Sequence, residues 1–203
     1  EDLPQHLREP GEETGNLRGE DSGAQASEVR IGFAVLVNKA NGRLGLCIDK
    51  HDPEVCLVKT VYGTGLIASW NDIAPPEQSV RDLDRIVSID GRPGSTEELM
   101  RFVGETQRYL ELAVDHPSIR EIEIKKEKST SRLGLKLSVK DDAVGLIITA
   151  VEDGLIRQMG HVNVKRHDRI IAVNGETRTP TQMLQALHEA EFTMTVCCYN
   201  IHL

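Results

Sequence analysis

Apolar positions fall in short clusters along most of this chain, and two spacings account for them. Ile119–Ile124 alternates, with Ile122 and Ile124 set between Glu and Lys, as a half-buried strand requires. Ile31–Val37 is nearly continuous in apolar residues and also reads as an opening strand. Further strands are predicted at Leu46–Ile48, Val55–Val61, Arg85–Ile89 and Tyr109–Val114, and then at Leu135–Val139, Gly145–Val151, Arg169–Val173 and Phe192–Cys198. Helical spacing appears at Leu99, Phe102 and Val103, behind Ser95 with Glu98 three residues on, a capping-box pattern. It appears again at Met183, Leu184 and Leu187, behind Thr179 as cap and Pro180 at the first helical position. Shorter helices are predicted at Leu66–Trp70 and Leu155–Met159, the second closed by Gly160. Asp90-Gly91 and Asn174-Gly175 are turn dipeptides. The longest apolar runs, Ile31–Val37 and Val144–Val151, stop far short of the ~18 residues of a membrane span.

The pattern repeats. Arg43-Leu44-Gly45-Leu46 returns as Arg132-Leu133-Gly134-Leu135, 89 positions on, and Gly65-Leu66-Ile67 returns as Gly154-Leu155-Ile156 at the same offset. Asp84-Arg85-Ile86-Val87-Ser88-Ile89-Asp90-Gly91 returns as Asp168-Arg169-Ile170-Ile171-Ala172-Val173-Asn174-Gly175 at an offset of 84. Three matches in one order mean two copies of one domain. The change of offset places a five-residue insertion in the first copy between Asn71 and Asp84, where Pro75-Pro76 predicts an irregular loop. Copies of ~85 residues are full domains rather than solenoid units. The expected organisation is a disordered tail at 1–28, domains at 29–116 and 117–200, and a free C-terminal end at 201–203.

Hydrophobic residues make up 39% of the 203, enough for buried cores. Residues 1–28 differ, holding eight acidic residues among Gly, Pro, Ser and Gln and no Val, Ile or Phe. Such a segment cannot bury enough apolar surface to offset the entropy of ordering, so it reads as disordered. It carries −6 of the formal net charge of −8. An acidic chain with seven aromatic residues lacks the electrostatic footprint and stacking platforms of a nucleic-acid binder, and nucleic acid is not an expected partner. Four cysteines (Cys47, Cys56, Cys197, Cys198) are too few for a disulfide framework, which points to a reducing compartment, the cytoplasm. The chain opens on Glu1 with no charged-then-apolar leader, so no signal peptide is read, and a processed or excised fragment is one reading of that start.

In both copies the order is the same: a basic residue, a short loop, X-Leu-Gly-Leu, two strands, a short helix, Asp-Arg-Ile-x-x-Val/Ile-Asp/Asn-Gly, a capped helix and a last strand. This order resembles the PDZ domain, twice in tandem. The resemblance implies a β-rich α+β fold, each domain a small, partly open antiparallel β-barrel or sandwich capped by two helices. It implies binding rather than catalysis: an extended or C-terminal peptide adds as a strand between the second strand and the second helix, its carboxylate held by backbone N–H groups of the X-Leu-Gly-Leu loop. The carboxylate loops are then Arg43, Leu44, Gly45, Leu46 and Arg132, Leu133, Gly134, Leu135, with Lys39 and Lys128 each four positions ahead. The pairing strands bring Ile48 and Leu137. The facing helices bring Thr96, Met100 and Val103 in the first copy and Pro180, Leu184 and Leu187 in the second. Val103 and Leu187 read equally well as core.

Two features depart from the family pattern. The loop usually opens with Gly, whereas both copies have Arg, which either grips the ligand carboxylate or points to solvent. Members selecting Ser or Thr two residues before the terminus usually carry His where Thr96 and Pro180 stand, so an apolar preference at that ligand position is expected, above all in the second copy.

Other signals are weaker. Gly63-Thr64-Gly65-Leu66-Ile67-Ala68 fits a dinucleotide fingerprint, but no long helix follows and the second copy has Glu152-Asp153 there, which would repel a pyrophosphate. Cys47, His51 and Cys56 do not have zinc spacing, and Cys197-Cys198 on one strand point to opposite faces. His161 and His167 read as solvated. With no signature of a catalytic site, no cofactor, metal or enzyme activity is expected. Ile201 and Leu203 form an apolar-x-apolar terminus of the kind such grooves take, and head-to-tail self-association is one reading of it beside a frayed end. The expected role is a scaffold or adaptor binding C-terminal peptides of other proteins. The alternatives are a regulatory, substrate-capturing piece of a larger enzyme such as a protease, and a structural pair whose grooves are filled by their own side chains.

Overall fold

The computed structural model describes residues 32–128 and 131–199. The expectations for the tail at 1–28, for Ile31 and for Ile201–Leu203 lie outside these residues. The first copy folds as β1 (Phe33–Asn38), β2 (Leu46–Asp49), β3 (Cys56–Val61), α1 (Leu66–Asn71), β4 (Arg85–Ile89), the two-residue β5 (Arg92–Pro93), α2 (Thr96–Glu105) and β6 (Tyr109–Asp115). The second follows as β7 (Ser118–Lys125), β8 (Leu135–Ser138), β9 (Leu146–Val151), α3 (Leu155–Gln158), β10 (Arg169–Val173), α4 (Pro180–Ala186) and β11 (Glu191–Cys198). All the helices and strands expected from the described residues are present, with ends moved by a residue or two. No helix among the described residues is long and apolar enough to cross a membrane.

The two antiparallel sheets have the same strand order, β1-β6-β4-β3-β2 and β7-β11-β10-β9-β8, with β5 beside β4. Register shifts also recur in matching places, between Cys47 and Ile48 on β2 and between Lys136 and Leu137 on β8. β2 and β8 therefore end their sheets as short edge strands. The hairpin turns need two residues at positive φ, and Asp90 (49°), Gly91 (71°), Asn174 (54°) and Gly175 (72°) supply them. Full capping boxes start both long helices, Ser95 with Glu98 and Thr179 with Gln182.

Each sheet closes over its own core. Val35, Val37, Ile86, Ile89, Leu99, Leu110 and Leu112 are central in the first, and Ile122, Ile124, Leu146, Ile170, Met183 and Met194 in the second. The inserted loop of the first copy contains one 3₁₀ turn, Pro76–Gln78, pinned by the Trp70 Nε1–H donating to the Gln78 carbonyl at 2.9 Å and by Asn71 bonding both backbone groups of Val80 at 2.8 and 2.9 Å.

The copies meet along a seam. Val55 and Leu57 of the first pack with Cys197 and Tyr199 of the second, while Cys198 faces the opposite way into the second core. The alternation expected for Cys197-Cys198 is what divides them. The Tyr199 hydroxyl donates to the Leu83 carbonyl at 2.9 Å. His167, expected in solvent, is 4% exposed: its Nδ1 lies 2.9 Å from Asp52 Oδ2 and its Nε2 2.9 Å from Glu54 Oε2. Sequence placed it on an outer loop, and the loop is covered by the other copy.

Candidate functional site

Each X-Leu-Gly-Leu loop is held from one side by the short helix that follows β3 or β9. The carbonyls of Arg43, Leu44 and Gly45 accept from the N–H groups of Leu66, Ile67 and Tyr62 at 3.0, 3.0 and 2.9 Å. Those of Arg132, Leu133 and Gly134 accept from Leu155, Ile156 and Glu152 at 3.0, 3.1 and 2.8 Å. The first N–H groups of α1 and α3 lack partners within their own helices, so the loop satisfies them. A trans peptide holds its N–H opposite its C=O. The N–H groups of Leu44, Gly45 and Leu46, and of Leu133, Gly134 and Leu135, are thus turned away from those carbonyl contacts as two sets of aligned donors.

Glycine is required at the third loop position. Gly45 and Gly134 both have φ of +79°, and a Cβ would stand 2.3 Å from the Thr64 carbonyl oxygen or 2.7 Å from that of Glu152.

Beside each loop lies a groove. The first, about 650 Å³, gathers Lys39, Arg43, Leu44, Gly45, Leu46 and Val103 with Tyr62 and Thr64. The second, about 390 Å³, gathers Arg132, Leu133, Gly134, Leu135, Leu137, Leu184 and Leu187 with Lys126, Ser131, Glu152, Asp153 and His188. Arg43 and Arg132 are exposed at the rims. Most residues expected at a binding site are therefore brought together. Ile48 and Met100 are half-buried against the first core, as Leu46 and Val103 also are, and do not line the first groove. Thr96 is 4% exposed and its hydroxyl donates to the Asp52 carbonyl at 3.1 Å, and Pro180 is buried, so neither helix start offers a polar side-chain group to its groove.

Lys128 is a correction. It is exposed and lines neither groove, while Lys126 takes the position that Lys39 holds in the first copy. Lys39 Nζ donates to the carbonyls of Val103 and Thr106, and Lys126 Nζ donates to the Leu187 carbonyl at 2.7 Å. Each ammonium thus spans from the end of the first strand of its copy to the C-terminal end of the long helix, where the orphan carbonyls favour a cation. Counting back from Arg132 misleads because the second copy has two more residues between lysine and loop. The usable signal was the buried pair Val35/Val37 against Ile122/Ile124, which sets Lys39 over Lys126. Glu152 and Asp153 were seen only as a mismatch to a phosphate site; they line the second groove, paired with Lys136 at 2.5 Å and Arg157 at 2.6 Å.

Residues 121–197 match the PDZ domain family. No curated protein matches the chain. Among solved structures, the chain is similar to INAD PDZ45 in complex with NG2 peptide, at 19% identity over 85% of this chain and 92% of that one, with a TM-score of 0.37. It is similar to the fifth PDZ domain of InaD, at 24% identity over 41% and 99%, TM-score 0.33. It is also similar to a PDZ domain from choanoflagellate GIPC, at 23% identity over 42% and 96%, TM-score 0.34.

Proposed function

We propose that the chain is a non-catalytic interaction module of two tandem PDZ-like domains, each taking the C-terminal peptide of another protein. The observation that carries this reading is the pair of loops whose carbonyls are all engaged on one side. Three successive N–H groups are left directed the other way, next to a lysine ammonium and an apolar slot. An extended ligand pairs with the open edge of β2 or β8, which supplies main-chain hydrogen bonds, and its terminal carboxylate meets the donor set. Leu46 with Val103, and Leu135 with Leu184 and Leu187, take its last side chain. Both grooves keep open volume, which favours binding over a pair filled by its own side chains. With the Thr96 hydroxyl engaged and a proline at the other helix start, the ligand residue two before the terminus is apolar.

The experiment is fluorescence anisotropy of labelled C-terminal peptides, each as free acid and as terminal amide. Micromolar binding that amidation weakens at least about tenfold is expected, with a preference for an apolar residue two before the end. Equal binding of acid and amide would remove the carboxylate role, and no binding of any free acid would remove the reading.

A further inference from the structure

The loop between β2 and β3, residues 50–55, has two faces with different neighbours. One face is tied to the start of α2: the Thr96 N–H donates to the Pro53 carbonyl at 2.8 Å, and its hydroxyl to the Asp52 carbonyl at 3.1 Å. These bonds tie the end of β2 to the start of α2, away from the X-Leu-Gly-Leu loop. The second copy cannot form the same bridge, because its helix starts at Pro180, which has no N–H.

The other face of the loop turns to the second copy. There Asp52 and Glu54 wall a cleft of about 170 Å³ together with Ser138, Thr149, Arg166 and His167. Ser138 is the last residue of β8, and Leu137 before it lines the second groove. The cleft thus lies on the opposite face of β8, one residue beyond the groove-lining Leu137. Two carboxylates face one guanidinium in it. Glu54 Oε1 accepts from Arg166 Nη2 at 2.7 Å, Glu54 Oε2 lies 2.9 Å from His167 Nε2, and Asp52 Oδ2 lies 2.9 Å from His167 Nδ1. Asp52 is buried, its Oδ1 accepting from the Glu54 N–H at 3.1 Å, whereas Glu54 is partly exposed at 38% and each of its oxygens can accept a second hydrogen bond.

We propose that the second groove is read by both copies: the upstream part of its ligand passes Ser138 into this cleft, where Glu54 of the first copy, backed by the buried Asp52, receives a lysine or arginine side chain. This rests on the peptide-binding reading above. A strand advances about 3.3 Å per residue, so a ligand paired along β8 reaches Ser138 about three residues before its own terminus. Side chains alternate along it. With the last and the second-before-last directed at α4, those three and five before the end lie on the face of Ser138 and Thr149. The partner is thus a protein whose C-terminus ends in an apolar residue and carries a basic one three or five positions earlier.

The test uses the full chain and seven-residue free-acid peptides with one fixed apolar terminus, carrying Lys or Glu at three, four or five residues before the end. Lys at three or five is expected to bind about three- to fivefold tighter than Glu, the range of a partly exposed ion pair, with little difference at four. Glu54→Gln is expected to erase that preference, and Arg166→Gln, which frees the Glu54 carboxylate, to enlarge it, both with the acid-over-amide preference intact. A Lys preference that is absent, or that survives unchanged in both variants while free acids still bind, overturns the composite site and leaves the peptide-binding reading standing. Failure of every free-acid peptide overturns both.

Discussion

Arg169 of the second copy donates through Nη1 to Asp49 Oδ2 of the first, and both side chains are fully buried in the seam between the sheets. Asp49 ends β2 and Arg169 opens β10. The same carboxylate accepts from the backbone N–H of Val144 at 2.8 Å and of His51 at 2.8 Å, and the same Nη1 reaches the Val144 carbonyl at 3.0 Å. Arg169 Nε and Nη2 are buried without a hydrogen-bond partner among the described residues. A pair of this kind specifies how the copies dock more than it adds stability, since taking both charges out of water costs about what their attraction returns.

Removing one partner is a different matter, because the other charge stays buried. Asp49→Ala is expected to destabilise the chain by about 3–5 kcal/mol, and Asp49→Leu with Arg169→Met by clearly less than Asp49→Ala. Urea denaturation followed by tryptophan fluorescence and far-UV circular dichroism measures both. A cost below about 0.5 kcal/mol for Asp49→Ala would show that the pair does not hold the seam.

The same carboxylate sets an acid limit. Burial pushes Asp49 up, but the Val144 N–H, the Arg169 guanidinium and the His51 N–H outweigh it and hold the carboxyl at about 2 against an ordinary 3.8. A folded-state value below the unfolded one stabilises the fold above the ordinary value, and this contribution is lost as pH falls from about 4 to about 2. Its size is about 2 kcal/mol. Asp84 and Asp168 act oppositely, since burial holds both above the ordinary range and their contribution is lost as pH rises through it. Thermal melts across pH 2–5 should therefore show an acid loss that Asp49→Asn lacks; equal slopes in both proteins would refute the assignment.

What the sequence made legible was local and repeated. Arg85–Ile89 and Arg169–Val173 were read to the residue because a buried strand stops at a turn dipeptide that needs positive φ. The X-Leu-Gly-Leu loops stood out because they repeat, and the structure shows why their glycine is fixed: a Cβ at Gly45 or Gly134 would meet a backbone carbonyl. What depended on the other copy was not legible. His167 sits on a segment that looks solvated in its own domain, and only the apposed Asp52 and Glu54 make it a buried group. Thr96 shows the same limit within one copy: the family resemblance implied that it faces a ligand, but the Asp52 carbonyl accepts its hydroxyl.

The loop glycines give a prediction specific to one groove at a time. Gly45→Ala puts a Cβ 2.3 Å from the Thr64 carbonyl oxygen and Gly134→Ala one 2.7 Å from that of Glu152, each at φ +79°. The loop must move, which misaligns its three donors. Each variant is expected to lose free-acid binding at its own groove by at least about tenfold, roughly 1.4 kcal/mol, and to keep it at the other. Gly175→Ala, at φ +72° with no atom within 4 Å of the added Cβ, is the control, losing about 1 kcal/mol of stability but no affinity. Groove-resolved chemical-shift titration with one free-acid peptide separates these outcomes, and undiminished binding by Gly134→Ala would remove the loop from the site.

Lys126 and Lys128 differ by two positions and should differ completely in effect. Lys126 is 9% exposed, bonds the Leu187 carbonyl and stands 5.3 Å from the Phe192 ring, at the end of the groove beside the donor set. Lys128 is exposed and outside the groove. Lys126→Met keeps the apolar stem but removes the ammonium. It therefore frees the C-terminal carbonyl of the α4 end and takes a positive charge from the carboxylate. Both effects weaken binding, but they separate in the comparison of acid with amide: release of the helix weakens both peptides alike, whereas loss of charge weakens the acid alone. The expected result is about a fivefold or greater loss for the free acid and a smaller one for the amide, with Lys128→Met unchanged within about twofold. Should Lys128→Met weaken binding and Lys126→Met not, the register that aligns Lys39 with Lys126 does not describe the working site.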